Sequence, residues 1–317
     1  MFHGMKYIYA VYQEMSFSKA AKSLYISQPS LSAAVRKEEE EMGYPIFDRS
    51  TNPIQLTQFG QEYIRAAEKI MEVEENFSQY INDISGLKVG SLTIGCNTLF
   101  TSYLLPSLLA EFNARYPAVS IHLVEGTTAY LTELLMNGKL DLVVENTLLD
   151  PEIFDQKFYC YDRIMLTVPR SFPINRQIKK YAFTSQQIQE GEHLYPDVPP
   201  VPLELFRDQP FLLLKTGNDS RVRADAVCAA HGFTPSPRLE LEQQFTAYNL
   251  ACCNLGSCFC GDLLIRHVPP RYEVLFYKLD EDISVRSISF FYKRSRYQSR
   301  PVQEFLRMLD RGETGRV

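Results

Sequence analysis

The sequence has no apolar run approaching the roughly 18 residues that a membrane helix requires, which argues against a membrane-spanning chain. Its opening residues lack a basic stretch followed by an apolar run and a small-residue cleavage site, so secretion is not expected. Paired Cys-x-x-Cys or Cys/His spacing is missing as well. Cys252, Cys253, Cys258 and Cys260 crowd together without it, and they read as small apolar residues in a helix and a strand, with no metal or other cofactor expected. An odd total of 7 cysteines fits reduced thiols in a cytoplasmic protein. His3, His122, His193, His231 and His267 are scattered, and Ser257 has no Gly-x-Ser-x-Gly context, so no catalytic set is defensible and no enzyme is expected. Asp141 reads as a structural residue at a strand start. Nor is there an excess of positive charge. With 33 basic against 38 acidic side chains the net charge is -5, which taken whole argues against a nucleic-acid binder.

What is present is an ordinary globular composition, 45% apolar and 22% charged, in a chain of 317 residues, long enough for two or three compact units. Met5, Ile8, Tyr9 and Tyr12 recur at helical spacing over residues 5–13. Ser16-Phe17-Ser18 interrupts them, and Ser18 suits the cap of a second helix carrying Ala20, Ala21 and Leu24. Ser27-Gln28-Pro29-Ser30 reads as a further helix start, with Ser27 as cap and Pro29 in the first turn. Two short helices across a tight turn make a helix-turn-helix. On the third helix Leu31, Val35 and Met42 form one face, while Gln28, Ser32 and Arg36 form a polar stripe of the kind that reaches base edges and phosphates. Between Met1 and Lys37 the basic residues Lys6, Lys19, Lys22, Arg36 and Lys37 face Glu14 alone, with the acidic run Glu38 to Glu41 at the far end of the helix, so the charge of the reading end is positive although the total is not. Beyond Gly43, two short extended runs flank a polar, Pro-containing turn and predict a hairpin wing, from which Arg49 and Asn52 reach DNA backbone or minor groove.

Four ordered blocks, Ser16-Phe17-Ser18-Lys19-Ala20-Ala21, Ser27-Gln28-Pro29-Ser30-Leu31-Ser32, Gly43-Tyr44-Pro45-Ile46-Phe47-Asp48-Arg49 and Leu56-Thr57-Gln58-Phe59-Gly60, resemble the DNA-binding domain of LysR-type transcriptional regulators. The resemblance implies a winged helix-turn-helix on partly palindromic, double-stranded promoter DNA, with Gln28, Pro29, Ser30, Ser32 and Arg36 at or near the duplex and Arg49 in the wing. Two positions depart from the family pattern. Ala33 stands where Arg is frequent, and Glu38 stands where a core Leu is usual, so Glu38 must either reach solvent or find a partner.

From Thr57 onward Phe59, Tyr63, Ala66, Ile70, Val73, Phe77, Tyr80 and Ile84 alternate steps of four and three, a heptad seam. It predicts a dimerising helix about 40 Å long, resembling the family's linker helix, with Gly86 and Gly90 as a hinge. Packing of the stripe on its own domain is the other reading. After the hinge, strand and helix patterns alternate in two sets, an α/β class with a cleft between two lobes. Gly90-Ser91-Leu92-Thr93-Ile94-Gly95, Leu104-Leu105-Pro106 with Phe112 and Tyr116-Pro117, Gly138-Lys139-Leu140-Asp141-Leu142, and Leu255-Gly256 resemble the family's effector domain, itself similar to periplasmic solute-binding proteins. The expected division is residues 1–58 for the winged helix-turn-helix, 59–87 for the linker and 88–317 for the bilobed effector domain. Residues 179–202, with Pro196, Pro199, Pro200 and Pro202, look like an inserted surface loop.

The predicted cleft lies at strand ends. Cys96, Asn97 and Thr98 follow the first strand, with Thr101 and Ser102 taken as a helix start; Thr127 and Thr128 end the second, Glu145 and Asn146 the third, and Thr216 lies across in the other lobe. Backbone N–H groups and hydroxyls suit a carboxylate, yet Glu145 repels a bare anion, so the expected effector is a carboxylate or an amino-acid-like, amine-bearing molecule. These features together predict a sequence-specific, effector-controlled regulator acting as a homodimer through the linker and as a homotetramer. A solute-binding protein and a metabolic enzyme are the competing readings.

Overall fold

The computed structural model describes residues 4–51, 53–84 and 90–311, and the chain divides into two compact units, Met1–Ser85 and Gly86–Val317. Among the described residues no helix is long and apolar enough to cross a membrane.

The first unit comprises α1 (Met5–Glu14), α2 (Phe17–Ser23), α3 (Gln28–Met42), the two-stranded ribbon β1 (Phe47–Asp48) and β2 (Gln55–Leu56), and the long α4 (Gln58–Ile84). Local chemistry sets its boundaries. Ser16, in extended conformation, accepts the Lys19 N–H and starts α2, so the expected cap at Ser18 is corrected by two residues; Ser18 is exposed in the first turn. Ser27 accepts the Ser30 N–H and starts α3 as expected, and Gly43 at φ 76° ends it in the left-handed conformation. Met5, Ile8, Val11, Phe17, Ala20, Leu31, Val35, Ile46 and Phe47 are buried against Tyr63, Ile64 and Ala67 of α4. The first turns of the heptad stripe therefore pack on their own unit, whereas Val73 and Phe77 further along are 67% and 61% exposed. Gly60 permits this junction: a Cβ there would lie 2.0 Å from the Ile46 carbonyl oxygen.

The second unit runs β3 (Gly90–Cys96), α5 (Thr98–Tyr103), α6 (Leu105–Arg115), β4 (Val119–Glu125), α7 (Thr128–Met136), β5 (Leu142–Glu145), β6 (Phe154–Pro169), α8 (Ile174–Gln177), β7 (Ala182–Phe183), α9 (Ser185–Gln189), β8 (Phe211–Leu214), α10 (Asp219–Ala230), β9 (Pro237–Leu241), α11 (Gln244–Cys252), β10 (Ser257–Gly261), α12 (Asp262–His267), β11 (Val274–Lys278), α13 (Glu281–Ser284), β12 (Val285–Lys293) and α14 (Arg300–Arg311). In the first lobe β3 lies parallel between β4 and β5; in the second β8 lies parallel between β9 and β10. The 16-residue β6 joins them. Its first half pairs antiparallel with β12, which returns to the first lobe, and its second half pairs with β10 and β11. Two adjacent antiparallel crossings thus connect the two lobes, and in sheets of this kind ligands sit beyond the C-terminal ends of the parallel strands.

Two expectations are corrected. Asn97 accepts the Phe100 N–H and begins α5 there, so Thr101 and Ser102 lie in the last turns of that helix rather than at its start. Residues 179–202 are not a surface loop: Thr184 and Gln187 form a reciprocal capping box on α9, and Ile188, His193 and Val201 are buried.

Candidate functional site

Two places carry the predicted residues. The first is the exposed face of α3. Leu31 and Val35 turn inward, leaving Gln28, Pro29, Ser30 and Arg36 exposed and Ser32 half-buried on the leading turns. The Ser27 and Ser30 hydroxyls share a 2.7 Å hydrogen bond. Among the described residues Arg36 has no ion-pair partner, so its charge is uncommitted. Arg49 differs. Its Nη2 donates to Glu39 Oε2 at 2.7 Å, and its guanidinium lies 5.2 Å from the Phe17 ring centroid. Glu39 in turn accepts the Ile46 and Phe47 N–H groups at 2.8 and 3.2 Å, so this pair pins the wing ribbon to α3. Ser50 donates its N–H and hydroxyl to Asp48, holding that exposed carboxyl below its ordinary value and closing the wing turn. Asn52, the second wing candidate, lies outside the described residues. Tyr25, in the turn between α2 and α3 at φ 56°, is 96% exposed; neither composition nor periodicity marks such a residue.

Glu38 found its partners. The residue is buried on α3, where Oε2 accepts the Gly4 N–H at 2.9 Å and Oε1 accepts the Tyr63 hydroxyl at 3.2 Å. A carboxylate in place of an apolar side chain therefore caps the start of α1, which has no side-chain cap of its own, and ties it to α4.

The second place is the C-terminal ends of the first lobe's strands, where the effector cleft is expected. Cys96, ending β3, is buried; its Sγ lies 2.9 Å from Thr101 Oγ1, and burial pushes the thiol up to about 11, which leaves it unreactive as a nucleophile. Thr98 donates to Glu125, the last residue of β4. Asn97 and Thr127 are occupied as caps of α5 and α7, Ser102 is exposed, and Thr216 sits exposed between β8 and α10. Glu145, ending β5, is 2% exposed, and its Oε1 has no hydrogen-bond partner among the described residues. Burial raises its carboxyl above the ordinary value, against polar contacts from the Thr128 hydroxyl and the Asn146 N–H.

Sequence reading missed the groups facing these from β12 and the second lobe. Arg286 of β12 is buried; Nε and Nη2 donate to Asp162 of β6 at 2.9 and 2.7 Å, and Nη1 to Asp219 and Ser220 of α10, both at 2.9 Å. Burial disfavours its charge, but Asp162 and Asp219 more than offset that. Beside it His193 Nε2 shares a 2.8 Å hydrogen bond with Asp262, both fully buried, and Asp262 also accepts the Arg163 N–H. The two crossings are thus held by a continuous buried polar network.

Comparisons with known proteins agree with this architecture. Residues 2–61 match the family model for a bacterial regulatory helix-turn-helix protein, lysR family, and residues 85–184 and 191–313 match the LysR substrate binding domain. An uncharacterized HTH-type transcriptional regulator, YcgK of Bacillus subtilis, is 29% identical over 96% of this chain and 92% of its own length. A probable RuBisCO transcriptional regulator of Emiliania huxleyi is 26% identical over 95% and 91%. Among solved structures, a full-length OxyR variant from Pseudomonas aeruginosa superposes with TM-score 0.69 at 21% identity, covering 98% of this chain and 94% of that one. A full-length CbnR complexed with its target DNA gives 0.63 at 19% identity, covering 98% and 99%.

Proposed function

The chain belongs to the LysR family of DNA-binding transcriptional regulators, and from that premise we propose which of its residues read DNA and which receive the effector. The leading turns of α3 enter the major groove, with Gln28, Ser30 and Ser32 toward base edges, Arg36 on a phosphate or base, and Ser18, Ser27 and Pro29 at the margin. The wing reaches the flanking backbone through Arg49 and Asn52. Val73 and Phe77 on α4 bury their apolar surface in a homodimer that brings two readers to neighbouring half-sites, and dimers pair into a tetramer. A small-molecule effector occupies the cleft bounded by Cys96, Asn97, Thr98, Thr101, Ser102, Thr127, Thr128, Glu145, Asn146 and Thr216, and shifts the chain between two quaternary states by binding one better. The protein works in the cytoplasm without catalytic activity.

The observation that carries this reading is the uncommitted polar and basic stripe Gln28, Ser32 and Arg36 over a buried Leu31–Val35 face. Footprinting of the DNA upstream of its own gene, with and without a metabolite panel, tests it. A protected, partly palindromic site with steep salt dependence is expected; the absence of any protection at low salt would overturn it.

A further inference from the structure

The C-terminal ends of the first lobe's strands present acid. β4 and β5 flank β3 and end on Glu125 and Glu145, and both carboxylates act electrostatically on the Cys96 thiol between them. Glu145 is also within electrostatic reach of Asp219 and Arg286. From the second lobe, Gln244 at the start of α11 is buried; its Nε2 donates to Ser220 Oγ at 3.4 Å and its Oε1 has no partner among the described residues. Ser220 Oγ is the same atom that accepts from Arg286 Nη1, so Gln244, Ser220, Arg286 and Asp219 form one cluster within reach of Glu145.

Two buried acceptor oxygens, one from each lobe, thus lack donors at the ends of a common network. Three nearby arginines are spent. Arg286 is fully engaged by Asp162, Asp219 and Ser220; Arg223 donates to Asp219 and to the Ile283 and Val285 carbonyls; Arg221 donates to Asp225, Glu240 and the Leu214 carbonyl. A carboxylate ligand would meet Glu125, Glu145 and Asp219, while Arg286, Arg223 and Arg221 are already committed to other acceptors. A nitrogen cation would supply the missing donor and offset the excess negative charge.

We infer that the effector presents a protonated amine or guanidinium to Glu145 Oε1, with the Gln244 side-chain oxygen as a second acceptor. The inference rests on the cleft reading above and adds the sign and class of the ligand. The test titrates the full-length chain with 1,4-diaminobutane, agmatine and L-arginine, and separately with succinate and benzoate, by calorimetry and thermal unfolding. At least one amine should bind the wild type. Glu145→Gln should weaken that amine about tenfold or more, as expected when a charge-assisted hydrogen bond becomes a neutral one, and Gln244→Leu should weaken it less. Amine binding unchanged in both variants would overturn the inference. Carboxylate binding without amine binding, lost on Asn97→Ala and kept in Glu145→Gln, would also overturn it while leaving the cleft reading intact. Failure of every probe to bind would count against both.

Discussion

Each unit of this chain buries a glutamate, and the two are handled in opposite ways. Glu38, 3% exposed in the DNA-reading unit, has a donor on each oxygen; Glu145, 2% exposed in the effector unit, has an oxygen with none among the described residues. Equal burial therefore does not mean equal role. A buried carboxylate satisfied by its own chain is a structural tie, whereas one left short of a donor is held at a cost that a ligand can relieve. Asp162 belongs with Glu38, since Arg286 neutralises it by a paired hydrogen bond.

The largest effect should come from breaking the satisfied pair. Arg286→Ala strands Asp162 in a fully buried site, and about 3–5 kcal/mol of stability should be lost in urea unfolding of the full chain. A loss below about 1 kcal/mol would mean that Asp162 accepts a proton at neutral pH without difficulty. Burial does push its carboxyl upward, and Arg286 is what opposes that. Next in size is Glu38→Ala, which removes the carboxylate that accepts the Gly4 N–H and the Tyr63 hydroxyl and opens space beside α1. About 2–3 kcal/mol is expected from the first unit. Tyr63→Phe removes one donor alone and should cost about 1 kcal/mol. Amide hydrogen exchange in α1 reads both, and equal losses for the two variants would contradict the capping role of Gly4 and Glu38.

Exposed charge sharpens the same contrast between committed and uncommitted groups. Arg36→Ala should leave stability within about 0.5 kcal/mol while weakening DNA binding and lowering the salt slope by about one. Arg49→Ala removes the Glu39 pair and the Phe17 stacking that hold the wing, so it should loosen the wing as well as binding. Melting curves with and without DNA separate the two; identical profiles would show that Arg49 serves only as a DNA contact.

Much of the first unit was legible because its determinants are local. Ser27 caps three residues ahead, Gly43 ends α3 where a left-handed residue is required, and the apolar spacing of Leu31 and Val35 fixes the inward face. The error of two residues at Ser16 arose because two serines in one turn are equally good caps on composition. Long-range pairing was not legible. Glu38 meets Gly4 and Tyr63 across 34 and 25 positions, and His193 meets Asp262 across 69. Residues 179–202 looked like a loop because prolines dominate the pattern, while the buried His193 gives no periodic signal of its own. In the second unit, strand-end reasoning put Cys96 and Glu145 at the ends of β3 and β5 and Thr128 at the start of α7, where they lie. It did not foresee Asp219, Ser220, Gln244 and Arg286, which come together from α10, α11 and the returning strand β12 and can be placed only once the crossings are known.

The smallest expected change is the most diagnostic of the comparison. Glu145→Gln in the ligand-free protein keeps the side chain's shape and removes its buried charge, so stability at neutral pH should be unchanged or rise by up to about 1 kcal/mol. The pH dependence follows from the direction of the shift. Burial raises the folded-state value of Glu145, so the native protein holds a proton that the unfolded chain has already released. Stability contributed at this position therefore falls as pH rises from the ordinary glutamate range through the raised value, and the penalty then stays constant. Any advantage of the glutamine variant should be full above the raised value and shrink as the solution is acidified toward the ordinary range. The difference between the two unfolding profiles isolates this group, because every other titration is common to both. A wild type more stable than the variant at neutral pH would mean that Glu145 Oε1 already receives a donor from its own chain, and the distinction from Glu38 would collapse.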